Sequence, residues 1–233
     1  MFGSKVLGVT ALSLALVASA FGRVGPVSQY GQLQAGKNSS GKGQIYGACK
    51  GVTSGNEVQV QGMSLFWSTA GNNEGEQFWN ASTVNTLVKE RNIQLIRAPM
   101  GVDEDWNNGK GNYGSNKDYH QKMMNEVVQA AIDNDIYVII DYHSHNAIGS
   151  KSTAATFFED MAGKWGKYDN VIFEVFNEPL EGVSWSSIKS YAEDMLKIIR
   201  KYSDNLVVVG NRSWDQYPND ASSSPINDKN VAY

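Results

Sequence analysis

A carboxylic acid does acid/base chemistry best where it is neither fully solvated nor sealed away. Glu178 has the local sequence for such a setting, in Asn177-Glu178-Pro179 at the end of the run VIFEVFNEP. At the mouth of a strand a glutamate can be held partly desolvated, which raises its pKa toward the working pH and suits it to give and take a proton. Pro179 has no amide proton and stops the strand. Strand alternation sends Asn177 and Glu178 to opposite faces. For both to reach one ligand the strand has to bulge or end here, and bulges are common beside active sites. Taken alone, the tripeptide fits an ordinary strand-to-loop turn equally well.

Other polar residues gather at strand ends. Arg97 lies in QLIRAPM and His143 closes YVIIDYH. His143-x-His145 has the spacing of a strand-end zinc pair. The chain holds only 3 histidines, however, and His120 opens a helix, so no metal site is expected. A satisfied structural histidine is the plainer reading of His143, and His145 has no clear role. Glu174 shares strand parity with Glu178 but lies deeper, and it reads as a hydrogen-bonded interior acid. Asp141 reads as structural, and Asp103, Glu104 and Asp105, which follow the second strand, read as a solvated loop rather than as part of a cleft lining.

The elements that must position these residues follow from periodicity. Strand-like runs at Val58–Phe66, 94–100, 137–143, 171–176 and 206–210 alternate with amphipathic helical patterns over 82–91, 120–134, 153–165 and 185–200. Val231–Tyr233 opens a further strand. This alternation means βαβ units and a parallel sheet covered by helices. Polar residues follow four different strands (Ser64 and Trp67, Arg97, His143, Asn177 and Glu178), as in a TIM barrel. A doubly wound sheet would concentrate them at one switch point with a Gly-rich phosphate turn, and no such turn follows any strand. The expected fold is therefore an α/β (β/α)8 TIM barrel, incomplete here, with about five strands and the start of a sixth.

Bulk properties narrow the function classes. The chain has 233 residues, with 20 basic against 24 acidic side chains and a formal net charge of −4, which argues against a nucleic-acid surface. Its 6 Trp and 11 Tyr fit core packing or a sugar-binding cleft. Lys5, the apolar run Val6–Val17 and Ala18-Ser19-Ala20 have the layout of a secretory signal peptide over residues 1–20, and the run is too short for a membrane span. Cys49 alone cannot form an internal disulfide. Residues 21–57, rich in Gly, Ser, Gln and Lys, read as a flexible leader and surface loop before a domain at 58–233. An exported monomer with no membrane partner is expected.

Over residues 58–233 the chain resembles glycoside hydrolase family 5, the cellulase family A endoglucanases. The likeness rests on VQVQGMSLFW, LIRAPMGV, YVIIDYHSH, VIFEVFNEPLEGVSW and VVVGNRSWDQ, in that order. It implies Glu178 as general acid/base, Asn177 as the contact to the sugar 2-hydroxyl, Arg97 as support for the nucleophile and His143 as the cleft histidine. Trp67 and Trp214 fall where cleft aromatics are expected after the first and fifth strands. The family hydrolyses with retention through a covalent glycosyl-enzyme, which needs two carboxyl groups about 5 Å apart. Its nucleophile ends a seventh strand, beyond Tyr233, so Arg97 is expected to find its partner outside this chain, and the 233-residue polypeptide is expected to be inactive. The resemblance thus implies a secreted retaining endo-β-1,4-glucanase, free of cofactors, acting on β-linked polysaccharide. A related barrel glycosidase on mannan, xylan or xyloglucan, or a non-catalytic carbohydrate-binding remnant, are the alternatives.

Overall fold

A computed structural model describes residues 24–48, 57–70, 75–103 and 109–233. Residues 1–20, expected as a signal peptide, Cys49 and the Glu104-Asp105 pair lie outside the described residues. Six parallel strands form one sheet: β3 (Gly62–Ser64), β4 (Leu95–Gly101), β5 (Tyr137–His143), β6 (Val171–Glu174), β7 (Val207–Val208) and β8 (Val231–Ala232). They neighbour each other in sequence order. Between them run α2 (Ala81–Arg91), α3 (Lys117–Asp133), α4 (Lys151–Trp165) and α5 (Trp185–Ile199), then a left-handed turn, α6 (Arg212–Asp215), and a short helix, α7 (Pro218–Ser223). This is the expected incomplete barrel. No helix among the described residues is long and apolar enough to cross a membrane.

Side-chain alternation divides each strand between two jobs. One face of the sheet carries Ile96, Ala98, Met100, Val138, Ile140, Tyr142, Val171, Phe173 and Val207, buried against the helices in the main core. α5 matches it with Ile188, Tyr191, Ala192, Met195, Leu196 and Ile199, all buried. The other face lines the barrel interior and changes character along the strands. At its lower end Leu95, Tyr137, Ile139, Ile172 and Val208 form an apolar layer. Above it the register sets Arg97 beside Ile139, and Asp141 beside Glu174. The polar groups therefore stand on an apolar floor.

The expectation of a loose leader over 21–57 is overturned for residues 24–48. They form α1 (Pro26–Tyr30) and an antiparallel hairpin, β1 (Leu33–Lys37) with β2 (Gly43–Gly47). Val27 and Leu33 pack into the apolar floor. The buried Asn230 Nδ2 donates to the carbonyls of Leu33 and Asp204, both at 3.0 Å, and its Oδ1 accepts from Ala35 N at 2.8 Å. Tyr137 Oη donates to Gly31 O at 2.6 Å. These long-range contacts order a stretch whose composition shows no periodicity. The first barrel strand, expected over Val58–Phe66, pairs regularly only at Gly62–Ser64, and before it Val58 N donates to Ile45 O in the hairpin.

Candidate active site

Arg97 organises the upper interior. Its Nε donates to Glu174 Oε2 and its Nη2 to Glu174 Oε1, each at 2.7 Å, a bidentate pair across two strands. Nη2 also reaches Asn177 Oδ1 at 2.8 Å and Asp141 Oδ2 at 2.7 Å. The expectation that the partner of Arg97 lies outside this chain is therefore overturned. Parallel register brings Asp141 and Glu174 side by side, one strand and two strands from Arg97, and a guanidinium fork fits both carboxylates. Glu174 and Asp141 are interior acids, as their depth in the strands implied.

His143 extends the network. Its Nδ1 contacts Asp141 Oδ2 at 2.7 Å, and its ring packs on Trp67 with centroids 4.9 Å apart. Burial and the nearby Arg97 push the imidazole down to about 3, so the ring is neutral with its proton on Nδ1. Burial pushes Asp141 and Glu174 up to about 7 against the pull of Arg97. Burial disfavours charge on Arg97 too, but Glu174 and Asp141 hold it above its ordinary value.

Glu178 stands exposed at the rim of this network, close enough for its charge to act on Arg97, Asp141 and His143. Its backbone resolves the alternation problem. β6 ends at Glu174, and Glu178 adopts a left-handed conformation with φ +46°. That turn breaks the two-residue period beside Asn177. A bulky non-glycine residue pays about 1–3 kcal/mol for such a backbone, and strain of this kind clusters at functional sites.

Among the described residues, three buried side-chain atoms of the cluster have no hydrogen-bond partner: Asp141 Oδ1, His143 Nε2 and Asn177 Nδ2. Each unmade buried bond costs about 1–3 kcal/mol, so several at one place mark a surface shaped for something else. Asn177 Nδ2 is a donor, and His143 Nε2, with the proton on Nδ1, is an acceptor. A sugar hydroxyl is both.

The two expected cleft tryptophans flank the site differently. Trp67 is half-buried and lines a small pocket with Thr69, Gly101, Val102, Asp103, His143 and His145. Asp103 stays exposed, as a solvated loop residue, and also bonds Ser144 Oγ. Trp214 is 45% exposed, on three consecutive left-handed residues, Ser213, Trp214 and Asp215. Its amide donates to Pro179 O at 2.9 Å, which ties the loop after β7 to the loop carrying Glu178. His120 is buried in α3, with Nε2 on Gly111 O at 2.8 Å, far from any ligand role. No cluster of three or more potential metal ligands occurs among the described residues.

Comparison with known proteins places these features in a family. Residues 52–233 match the family model described as Cellulase (glycosyl hydrolase family 5). Endoglucanase Z of Dickeya dadantii is 47% identical over 174 residues, 74% of this chain and 39% of that protein. A solved structure from Cytophaga hutchinsonii is 40% identical with a TM-score of 0.78, over 89% of this chain and 62% of that one. The catalytic domain of Thermobifida fusca endoglucanase Cel5A is 28% identical with a TM-score of 0.74, over 89% of this chain and 65% of that domain. The chain thus spans less than half the length of curated relatives such as Endoglucanase Z. With the barrel strands, the network beneath Glu178 and the matched residues in one order, this chain belongs to the cellulase family, glycosyl hydrolase family 5.

Proposed function

We propose that the full-length protein is a secreted retaining endo-β-1,4-glucanase, with Glu178 as its acid/base carboxylate. The observation that carries this reading is the position of Glu178: exposed on a left-handed turn, above an Arg97–Glu174–Asp141–His143 network with unpaired donor and acceptor atoms. Relatives named as endoglucanases support it, and one structure of the Thermobifida fusca domain holds cellotetraose.

In this mechanism Glu178 gives its proton to the glycosidic oxygen as the bond to the anomeric carbon breaks. A second carboxylate takes the anomeric carbon into an ester, and Glu178 then removes a proton from the water that cleaves it. Asn177 Nδ2 binds the 2-hydroxyl of the sugar, and Trp67 and Trp214 offer ring faces to the glucan. Glu174 and Asp141 are committed to Arg97 and are poor candidates for the nucleophile. We assign that role to a glutamate outside these 233 residues, with Arg97 holding the rim that it faces. Export rests on the apolar run Val6–Val17 behind Lys5.

Parallel assays of the full-length protein on carboxymethylcellulose and on mannan test the reading. Faster chain scission of carboxymethylcellulose, with the β-anomer released first, is expected. A preference for mannan moves the enzyme to another β-glycan, and no scission of either substrate overturns the glycosidase assignment.

A further inference from the structure

We propose that His145 is a positioning residue for the acid/base group, acting through the Glu178 backbone; the proposal rests on the assignment of Glu178 above. Glu178 combines two unfavourable conditions. It is left-handed at φ +46°, and it precedes Pro179, whose ring restricts the preceding residue to extended backbone. Such a conformation persists only when its surroundings over-determine it. Two contacts act from the loop after β7: Trp214 N donates to Pro179 O at 2.9 Å, and Gly210 lies so close that a Cβ there would stand 2.4 Å from Phe176 O. His145 acts from the opposite side, from the loop after β5. Its Nδ1 stands 3.1 Å from the Glu178 carbonyl oxygen, which can only accept, so the ring donates.

The consequence concerns where the carboxyl points. An extended Glu178 would restore strand alternation and turn its side chain away from Asn177. The bond from His145 opposes that relaxation at the residue that carries the carboxyl. His145 also lines the small pocket with Trp67 and His143, and its ring centroid lies 6.3 Å from that of His143, so it is placed within the cleft without bonding the network beneath it.

The signature of a misplaced proton donor is its dependence on the leaving group, because 2,4-dinitrophenolate departs without a proton and a sugar alkoxide does not. In the full-length protein, His145→Ala is expected to lower kcat/KM on cellotetraose about 10- to 100-fold, part of the 10²- to 10⁴-fold that general acid catalysis supplies. On 2,4-dinitrophenyl β-cellobioside the expected loss is less than about threefold, since little of that acid contribution is used there. His145→Asn, whose amide can donate from near the Nδ1 position, is expected to recover most of the cellotetraose activity. Equal losses on both substrates, no loss on cellotetraose, or no recovery with asparagine would each overturn the proposal. Glu178→Ala run alongside separates the two claims. If it shows the leaving-group split and His145→Ala does not, only the role of His145 fails; if Glu178→Ala shows no split, the acid/base assignment fails with it.

Discussion

Burial decides what the polar side chains beneath Glu178 can do. His143 is held neutral by burial and by Arg97, well below the usual histidine range, at about 3. A nuclear magnetic resonance titration of its ring is therefore expected to show no protonation step between pH 5 and 8, and a midpoint near 6.5 would contradict the network described. Arg97 carries the opposite charge for two interior acids, with its side chain 23% exposed and that of Asp141 fully buried. Arg97→Met is expected to destabilise the fold by about 3–5 kcal/mol in urea unfolding, because removing one partner leaves buried charge uncompensated. Glu174 adds a pH dependence. Burial raises it from 4.5 to about 7, so the folded state binds its proton more tightly than the unfolded chain, and this contribution to stability is full below 4.5 and lost as pH rises through 7. Glu174→Gln lacks that loss, so the stability gap between wild type and variant should move in favour of the variant between pH 4.5 and 7.5. The same gap at both ends would show that Glu174 does not titrate there. The need of Arg97 for an anion is legible from one arginine in an apolar strand. The identity of that anion is not, because it depends on register between strands distant in the chain.

At the scale of elements, the barrel strands and helices are legible because their periodicities are strong and local: β5 and α5 fall within a residue of the pattern that predicts them. The hairpin at 33–47 is illegible for the converse reason. Its Gly- and Gln-rich residues carry no pattern, and its order comes from groups such as Asn230, nearly two hundred positions away. Asn230→Ala strips three backbone groups of their partner, the carbonyl of Leu33 in a buried bond and the amide of Ala35 and carbonyl of Asp204 in part-buried ones, and is expected to cost about 1–3 kcal/mol, read as a lower unfolding midpoint. An unchanged midpoint would mean that the hairpin adds nothing to the barrel floor. The left-handed turn at Glu178 was half legible. Alternation required a break near Asn177, but the kind of break, and the clamp from β7 that holds it, depend on tertiary contacts.

For the whole molecule, the six-stranded sheet carries Glu178 at its rim, and the chain spans 39% of Endoglucanase Z. The 233-residue polypeptide alone is expected to show no turnover of cellotetraose while the full-length protein does; comparable rates would place the nucleophile among these 233 residues. Chemical rescue of Glu178→Ala in the full-length protein tests the central claim most directly. With 2,4-dinitrophenyl β-cellobioside as substrate, the glycosyl-enzyme forms without an acid and then waits for a base. Added azide needs no base, so it should restore turnover and release β-cellobiosyl azide as the product. No acceleration by azide, or an α-configured azide, would contradict Glu178 as the acid/base residue of a retaining glycosidase.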